Sequence, residues 1–259
     1  MNFDKSYLME NMTWVEVGQA MEQGKRTVII GVGAIEQHGP GLPLCVDDAL
    51  AVAISCKVAE ELGDALVAPS IRPGFSPHHM SFPGTVTLSH ETLASVLRDY
   101  INSYAAHGFE TIIIICTHGG NAATTTLTCR HFQTEKYTVI PICHVDMFGA
   151  PDGKQYFGRK EGVHANELET SWMMYLYPEL VRHDALEKGE VSDSLPVIDD
   201  SIGLQYGVGF VSSNGCIGDP TNASAELGKR SIEMMSKEIC GEIRTYQKLI
   251  ADYKDKASK

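Results

Sequence analysis

The sequence predicts an α/β domain with a mostly parallel central sheet and helices on both of its faces, and three observations carry that prediction. Residues 27–30 (Thr-Val-Ile-Ile) and 111–116 (Thr-Ile-Ile-Ile-Ile-Cys) are apolar, β-branched runs without polar alternation, the pattern of strands covered on both faces. Amphipathic helical stretches alternate with such runs along the chain, the order that winds into a parallel sheet. Glycine-rich turns loaded with polar residues follow both runs directly, at 31–48 and 117–121, and in a parallel sheet both turns emerge at the same carboxyl edge. No repeat, linker or low-complexity block interrupts the 259 residues, so one domain over 1–259 is expected.

Taken in order, Thr13 reads as the N-cap of a short helix. Glu16 is its capping-box partner, Trp14, Val17 and Met21 lie on one face, and Gly24 ends it. The strand at 27–30 leads into the loop 31–48. Residues 49–62 then form a helix with Leu50, Ile54 and Val58 on one side and Gly63 as its stop, so Asp47 is expected just ahead of the helix. Leu66, Val67 and Ala68 make a short second strand. Residues 69–88 form a long loop rich in proline, glycine, serine and histidine, and long loops inside compact domains tend to serve function, here as a pocket wall.

Ser89 caps a helix to about His107 that buries Leu93, Val96, Leu97, Tyr100 and Ile101. The run 111–116 takes the sheet centre, and a helix follows the turn 117–121 as far as about Phe132. A further strand is expected at 138–143 and a polar connection at 146–161. His164 opens a helix with Met173, Met174 and Leu176 as core residues and Tyr177-Pro178 as its stop. Residues 192–219 read as irregular, and the last helix, from about 223 to 253, buries Leu227, Ile232, Met235, Ile239 and Ile243.

A formal charge of −12 repels nucleic acid and anionic membrane at long range, which leaves a small-molecule substrate as the expected partner. The seven cysteines are odd in number and scattered, with no CxxC pair. That argues against a disulfide framework or a cysteine zinc site and for a reducing, cytoplasmic setting. Residues 1–10 carry Asp4, Lys5 and Glu10 without an apolar core, unlike a secretory leader, and no stretch is long enough to span a membrane.

Glu36 and His38 are two apart, so at an extended strand end they share a face. Asp47 returns after the glycine- and proline-rich turn. Carboxylate and neutral imidazole suit zinc or manganese, and a second carboxylate can bridge two ions. His118 follows the most buried strand, and the two glycines after it let backbone approach a ligand closely. His164 and Glu167, three apart, share a helical face. The helix dipole alone accounts for one of Glu167 and Glu169 without any function.

Together, Glu36-Gln-His38 with Asp47, Phe82-Pro-Gly-Thr85, His118-Gly-Gly-Asn121, His164 through Ser171 and Gly218-Asp-Pro220 resemble the creatininase family of metal-dependent amidohydrolases, in family order from Trp14 to the last helix. The resemblance implies a three-layer α/β/α domain, two divalent metal ions (zinc or manganese, iron among the alternatives) and a homo-oligomer such as a hexamer. Carried over, Glu36 and His118 hold one ion, His38 the other, Asp47 bridges them, and His164 is the catalytic proton carrier. Creatinine-hydrolysing members place a glutamate where this chain has Gly120, and Glu169 is the candidate replacement. Ser76, His79 and the backbone at Gly119 are expected to line the substrate pocket, and His78, His90 and His131 to lie at the surface. Those members also carry a longer loop before Phe82, a tyrosine at the position of Gly119 and a tryptophan ahead of the catalytic histidine, where this chain has Lys160-Glu-Gly-Val163. These differences point away from creatinine. The expected reaction is C–N hydrolysis of a cyclic amide or formamide. The alternatives are C–C hydrolysis of a cyclic β-diketone derived from an inositol or sugar, and a non-catalytic metal-stabilised oligomer.

Overall fold

The computed structural model describes residues 3–132, 136–143, 162–189 and 206–257. The connection expected at 146–161 lies outside them, as does 192–205 of the stretch expected to be irregular. Four parallel strands form the central sheet: β1 (Thr27–Val32), β2 (Ala65–Val67), β3 (Thr111–Cys116) and β4 (Thr138–Cys143), in the order β2-β1-β3-β4. Residues of β1 and β3 are paired in register from Thr27–Thr111 to Val32–Cys116. All of β1 is buried, which is why it shows no alternation.

Successive side chains on these strands leave the sheet on opposite faces, and each face meets its own helical layer. On one side Ile29, Ile113, Ile115, Ile140 and Ile142 pack against α2 (Val46–Leu62), α5 (Glu167–Leu176) and α7 (Ala225–Ala257). On the other, Val28, Ile30, Ile112 and Ile114 meet Leu93, Leu97 and Ile101 of α3 (His90–Ala106), Cys129 of α4 (Ala122–Cys129), and Val17 and Met21 of α1 (Trp14–Glu22). The expected helices on both faces are present. A two-stranded antiparallel ribbon, β5 (Gly162–His164) with β6 (Ile217–Gly218), and the single turn α6 (Val208–Val211) lie outside the main sheet.

Several local readings hold to the atom. Thr13 and Glu16 form the reciprocal capping box of α1, Ser89 accepts from the Thr92 amide at the start of α3, and Gly63 ends α2 in the left-handed region at φ 80°. Others need correction. Trp14 is 86% exposed; it occupies the first position of α1, ahead of the partly buried Val17 and Met21 that meet the core. α2 begins at Val46, so Asp47 sits inside its first turn, where the helix dipole favours a carboxylate. His164 is the last residue of β5 rather than the first of a helix. Its pairing with β6, some fifty residues downstream, is a non-local contact that no local pattern announces.

The candidate metal centre

The chain passes from β2 at the edge across β1 to β3, so the loops after β1 and β3 diverge from one point on the carboxyl edge, where open α/β sheets bind ligands. Asn121, fully buried, fastens three segments there. Its Nδ2 donates to the Gly33 carbonyl at 2.8 Å and its Oδ1 accepts from the Phe75 amide at 2.7 Å. The loop 69–88 is thereby drawn over the rim as a wall. From the far side, β5 delivers His164. Ala165 then adopts a left-handed φ of 50°, and Asn166 caps α5 by accepting from the Leu168 and Glu169 amides. The sharp turn lets Glu169 reach back, with one carboxylate oxygen accepting from the Ala165 amide.

Glu36, His38, Asp47, His118, His164 and Glu169 come together in one cluster. Asp47 lies between two histidines, with Oδ1 3.6 Å from His38 Nε2 and Oδ2 3.4 Å from His118 Nδ1. His38 Nε2 is also 3.9 Å from Glu169 Oε1. Glu36 stands 3.3 Å from His118 Nε2 through Oε2 and, through Oε1, 3.2 Å from His79 Nε2 and 3.8 Å from His164 Nδ1. Three sets place ligand atoms within 4.8 Å of one another: Glu36, His38 and His164; Glu36, His78 and His118; and His38, Asp47 and Glu169.

Outer contacts aim these side chains. His38 Nδ1 donates to the Glu36 carbonyl (3.2 Å), which turns Nε2 toward the cluster. His118 Nε2 lies 3.0 Å from the Phe75 carbonyl and 3.2 Å from Ser76 Oγ. Imidazoles that bind metals are commonly anchored through their other nitrogen in this way. Burial pushes the Glu36 carboxyl up to about 7 and raises Glu169. Burial opposes charge on His38, but the carboxylates of Asp47, Glu169 and Glu36 outweigh it and push the imidazole up to about 10. Asp47 is held low despite burial, because His38 and His118 favour its anion.

The residues present fit a divalent cation. Both oxygens of Glu36, His38 Nε2, Asp47 Oδ2 and His78 Nδ1 are buried without a hydrogen-bond partner, an arrangement that costs several kcal/mol per charged group, roughly, unless something compensates it. The donor set of carboxylate oxygen and imidazole nitrogen is that of zinc, manganese or iron. Position 120 is closed to any side chain in this backbone. A Cβ on Gly120 would meet the Phe75 carbonyl oxygen at 2.3 Å and His118 Nε2 at 2.6 Å.

The residues expected around the pocket divide. Ser76 is buried against His118, and Gly119 is exposed but is not among the residues lining the cleft beside His78. His79 is buried against Glu36, Gln37 and His164, behind the cluster. Its neighbour His78, expected at the surface, instead stacks parallel to His118 with ring centroids 5.6 Å apart and lines a cleft of about 330 Å³ with Pro77, Ser81, Tyr206 and Phe210. Pro77–His79 is a 3₁₀ turn, which rotates adjacent side chains by about 120°. The pair of histidines is plain in the sequence, but which one faces outward depends on that turn. Gln37, silent in the sequence, makes five hydrogen bonds at the core of the site.

The family model described as creatinine amidohydrolase matches residues 10–243. The "Mycofactocin precursor peptide peptidase" of Mycolicibacterium smegmatis is 32% identical over 227 residues, covering 85% of each chain. The "3-dehydro-scyllo-inosose hydrolase" of Thermotoga maritima is 28% identical over 249 residues, 87% of this chain and 79% of that one. A solved structure named "Creatininase Mn" superposes with a TM-score of 0.77 at 26% identity, over 93% of this chain and 99% of that one. This chain belongs to the creatininase family, and it is a hydrolase of that family.

Proposed function

We propose that the protein is a two-metal hydrolase that cleaves a carbon–nitrogen amide bond. One observation supports this above the rest: Asp47 presents one oxygen to His38 and the other to His118, with Glu169 on the His38 side and Glu36 on the His118 side. The donors thus divide into two half-sites joined by one carboxylate. The chemistry that divalent cations would supply if bound there is activation of water near neutral pH and polarisation of a carbonyl. His38, Asp47 and Glu169, whose ligand atoms lie within 4.8 Å of one another, would form one half-site; Glu36, Asp47 and His118 are assigned to the other by resemblance to the family, with Glu36 and Asp47 facing opposite nitrogens of His118. His164, anchored through Nε2 on the Gln37 carbonyl at 2.7 Å, keeps Nδ1 toward the cluster and moves the proton to the leaving amine.

Approach is through the cleft beside His78, where Tyr206 and Phe210 stand exposed at the mouth. That opening suits an amide in a small polar molecule, a class that takes in cyclic amides, formamides and short peptides, and the peptidase relative favours the last. The acidic balance and the seven scattered cysteines support a cytoplasmic enzyme; among the described residues no helix is long and apolar enough to cross a membrane. A homo-oligomer, a hexamer by family resemblance, is the assembly proposed.

The test is incubation of zinc- and manganese-loaded protein with a panel of cyclic amides, formamides, short peptides and cyclic keto-inositols in H₂¹⁸O, with products read by mass spectrometry. One ¹⁸O in a new carboxylate with release of an amine or ammonia is expected. Label confined to an open-chain keto acid would instead establish C–C hydrolysis, the reading the inosose hydrolase relative favours.

A further inference from the structure

We infer that Gln37 is a positioning residue that fixes the tautomer of two histidines at once, that of His79 through its side-chain amide and that of His164 through its backbone carbonyl. Its contacts favour one arrangement. The Gln37 amide N–H donates to Thr85 Oγ1 at 3.2 Å, and its carbonyl lies 2.7 Å from His164 Nε2. On the side chain, Oε1 accepts from the Gly39 amide at 2.9 Å, while Nε2 lies 2.8 Å from His79 Nδ1 and 3.2 Å from the Gly215 carbonyl. Reversing the amide would set Nε2 against the Gly39 N–H and Oε1 against the Gly215 carbonyl, two repulsive contacts. The orientation is therefore determined.

The histidine tautomers follow. A carbonyl only accepts, so His164 Nε2 carries a hydrogen. Although Gln37 Nε2 is also 3.0 Å from that nitrogen, its two hydrogens go to His79 Nδ1 and the Gly215 carbonyl. His79 Nδ1 is then an acceptor, and its hydrogen sits on Nε2, the nitrogen 3.2 Å from Glu36 Oε1. His164 is left with a bare Nδ1, 3.8 Å from the same oxygen. Glu36 Oε1 therefore lies between one ring nitrogen that carries a hydrogen and one that is bare. Gly215 is part of the device: at φ 82° it lies so close that a Cβ there would overlap Gln37 Oε1.

This role for Gln37 rests on the site proposed above, but its primary readout needs no substrate, so its failure is separable from failure of the hydrolase reading. Ring-nitrogen NMR of uniformly ¹⁵N-labelled, zinc-loaded protein is the measurement. In the wild type, both His79 and His164 are expected to show a protonated Nε2; a protonated Nδ1 on either ring overturns the inference, whether or not any variant folds. In Gln37→Met, which keeps the volume and removes the amide, His79 is expected to exchange between tautomers while His164, held by backbone, stays fixed. On an amide substrate the variant should lose about 10-fold in kcat with little change in KM. Unaltered His79 nitrogens in Gln37→Met would show that the side chain fixes nothing.

Discussion

At the scale of single residues, the site rests on carboxylates and imidazoles without room to relax. Gly120→Ala forces a methyl against the Phe75 carbonyl and the His118 ring. It should cost about 1–3 kcal/mol, the usual range for overpacking, and weaken metal binding as well, both measurable by urea titration with and without zinc. Asn121→Ala leaves the Gly33 carbonyl and the Phe75 amide without their partner, and about 1–3 kcal/mol is expected for such a loss. His164→Ala should keep fold and bound metal and lose roughly 10²–10⁴ in turnover, the range for a general acid–base group; unchanged turnover would remove His164 from the chemistry. Much of this set is legible from residue type and spacing. Glu36, His38, Asp47 and His118 flank two strands whose β-branched runs announce the sheet centre. Gln37 and His78 are not legible, because a glutamine's worth lies wholly in its partners and a histidine's facing depends on one 3₁₀ turn.

At the scale of elements, α5 carries Glu169 to the site and packs against α7. Trp172 of α5 donates its indole N–H to Ser231 Oγ at 2.9 Å inside the core. Gly228 of α7 approaches so closely that a Cβ would stand 2.0 Å from the Ser171 carbonyl oxygen. Gly228→Ala is therefore expected to push the two helices apart, lower the thermal midpoint and weaken metal uptake through displacement of Glu169. Calorimetry and metal titration would check both, and a lower midpoint with unchanged uptake would separate α5 packing from the site. The elements that sequence conveys most accurately are those with local signals: capping residues Thr13 and Ser89, the stop at Gly63, and the runs of β1 and β3. The β5–α5 junction escapes such reading because its strand exists only by pairing with β6, and Ala165 takes a left-handed conformation that an alanine gives no hint of.

For the whole molecule, two properties follow. The last part of α7 extends beyond Ile243, the last residue of that helix in the core, and carries Tyr246, Leu249 and Tyr253 exposed at helical spacing. Such a stripe fits a subunit contact in the proposed homo-oligomer. Leu249→Glu paired with Tyr253→Glu should shift the light-scattering mass toward the monomer, whereas an unchanged mass would place the interface elsewhere. A metal bound at the proposed site would stabilise the fold by mass action, since the cluster is assembled only in the folded chain. A cation at one hundred times its Kd adds about 2.7 kcal/mol, and chelation should remove it.

The count of metal ions per chain tests the central claim most directly. After dialysis against zinc or manganese, elemental analysis is predicted to find two ions in the wild type, one in Glu169→Ala, and at most one in Asp47→Asn, whose shared carboxylate joins the half-sites. A single ion in the wild type, or two retained without Asp47, would contradict the two-metal account.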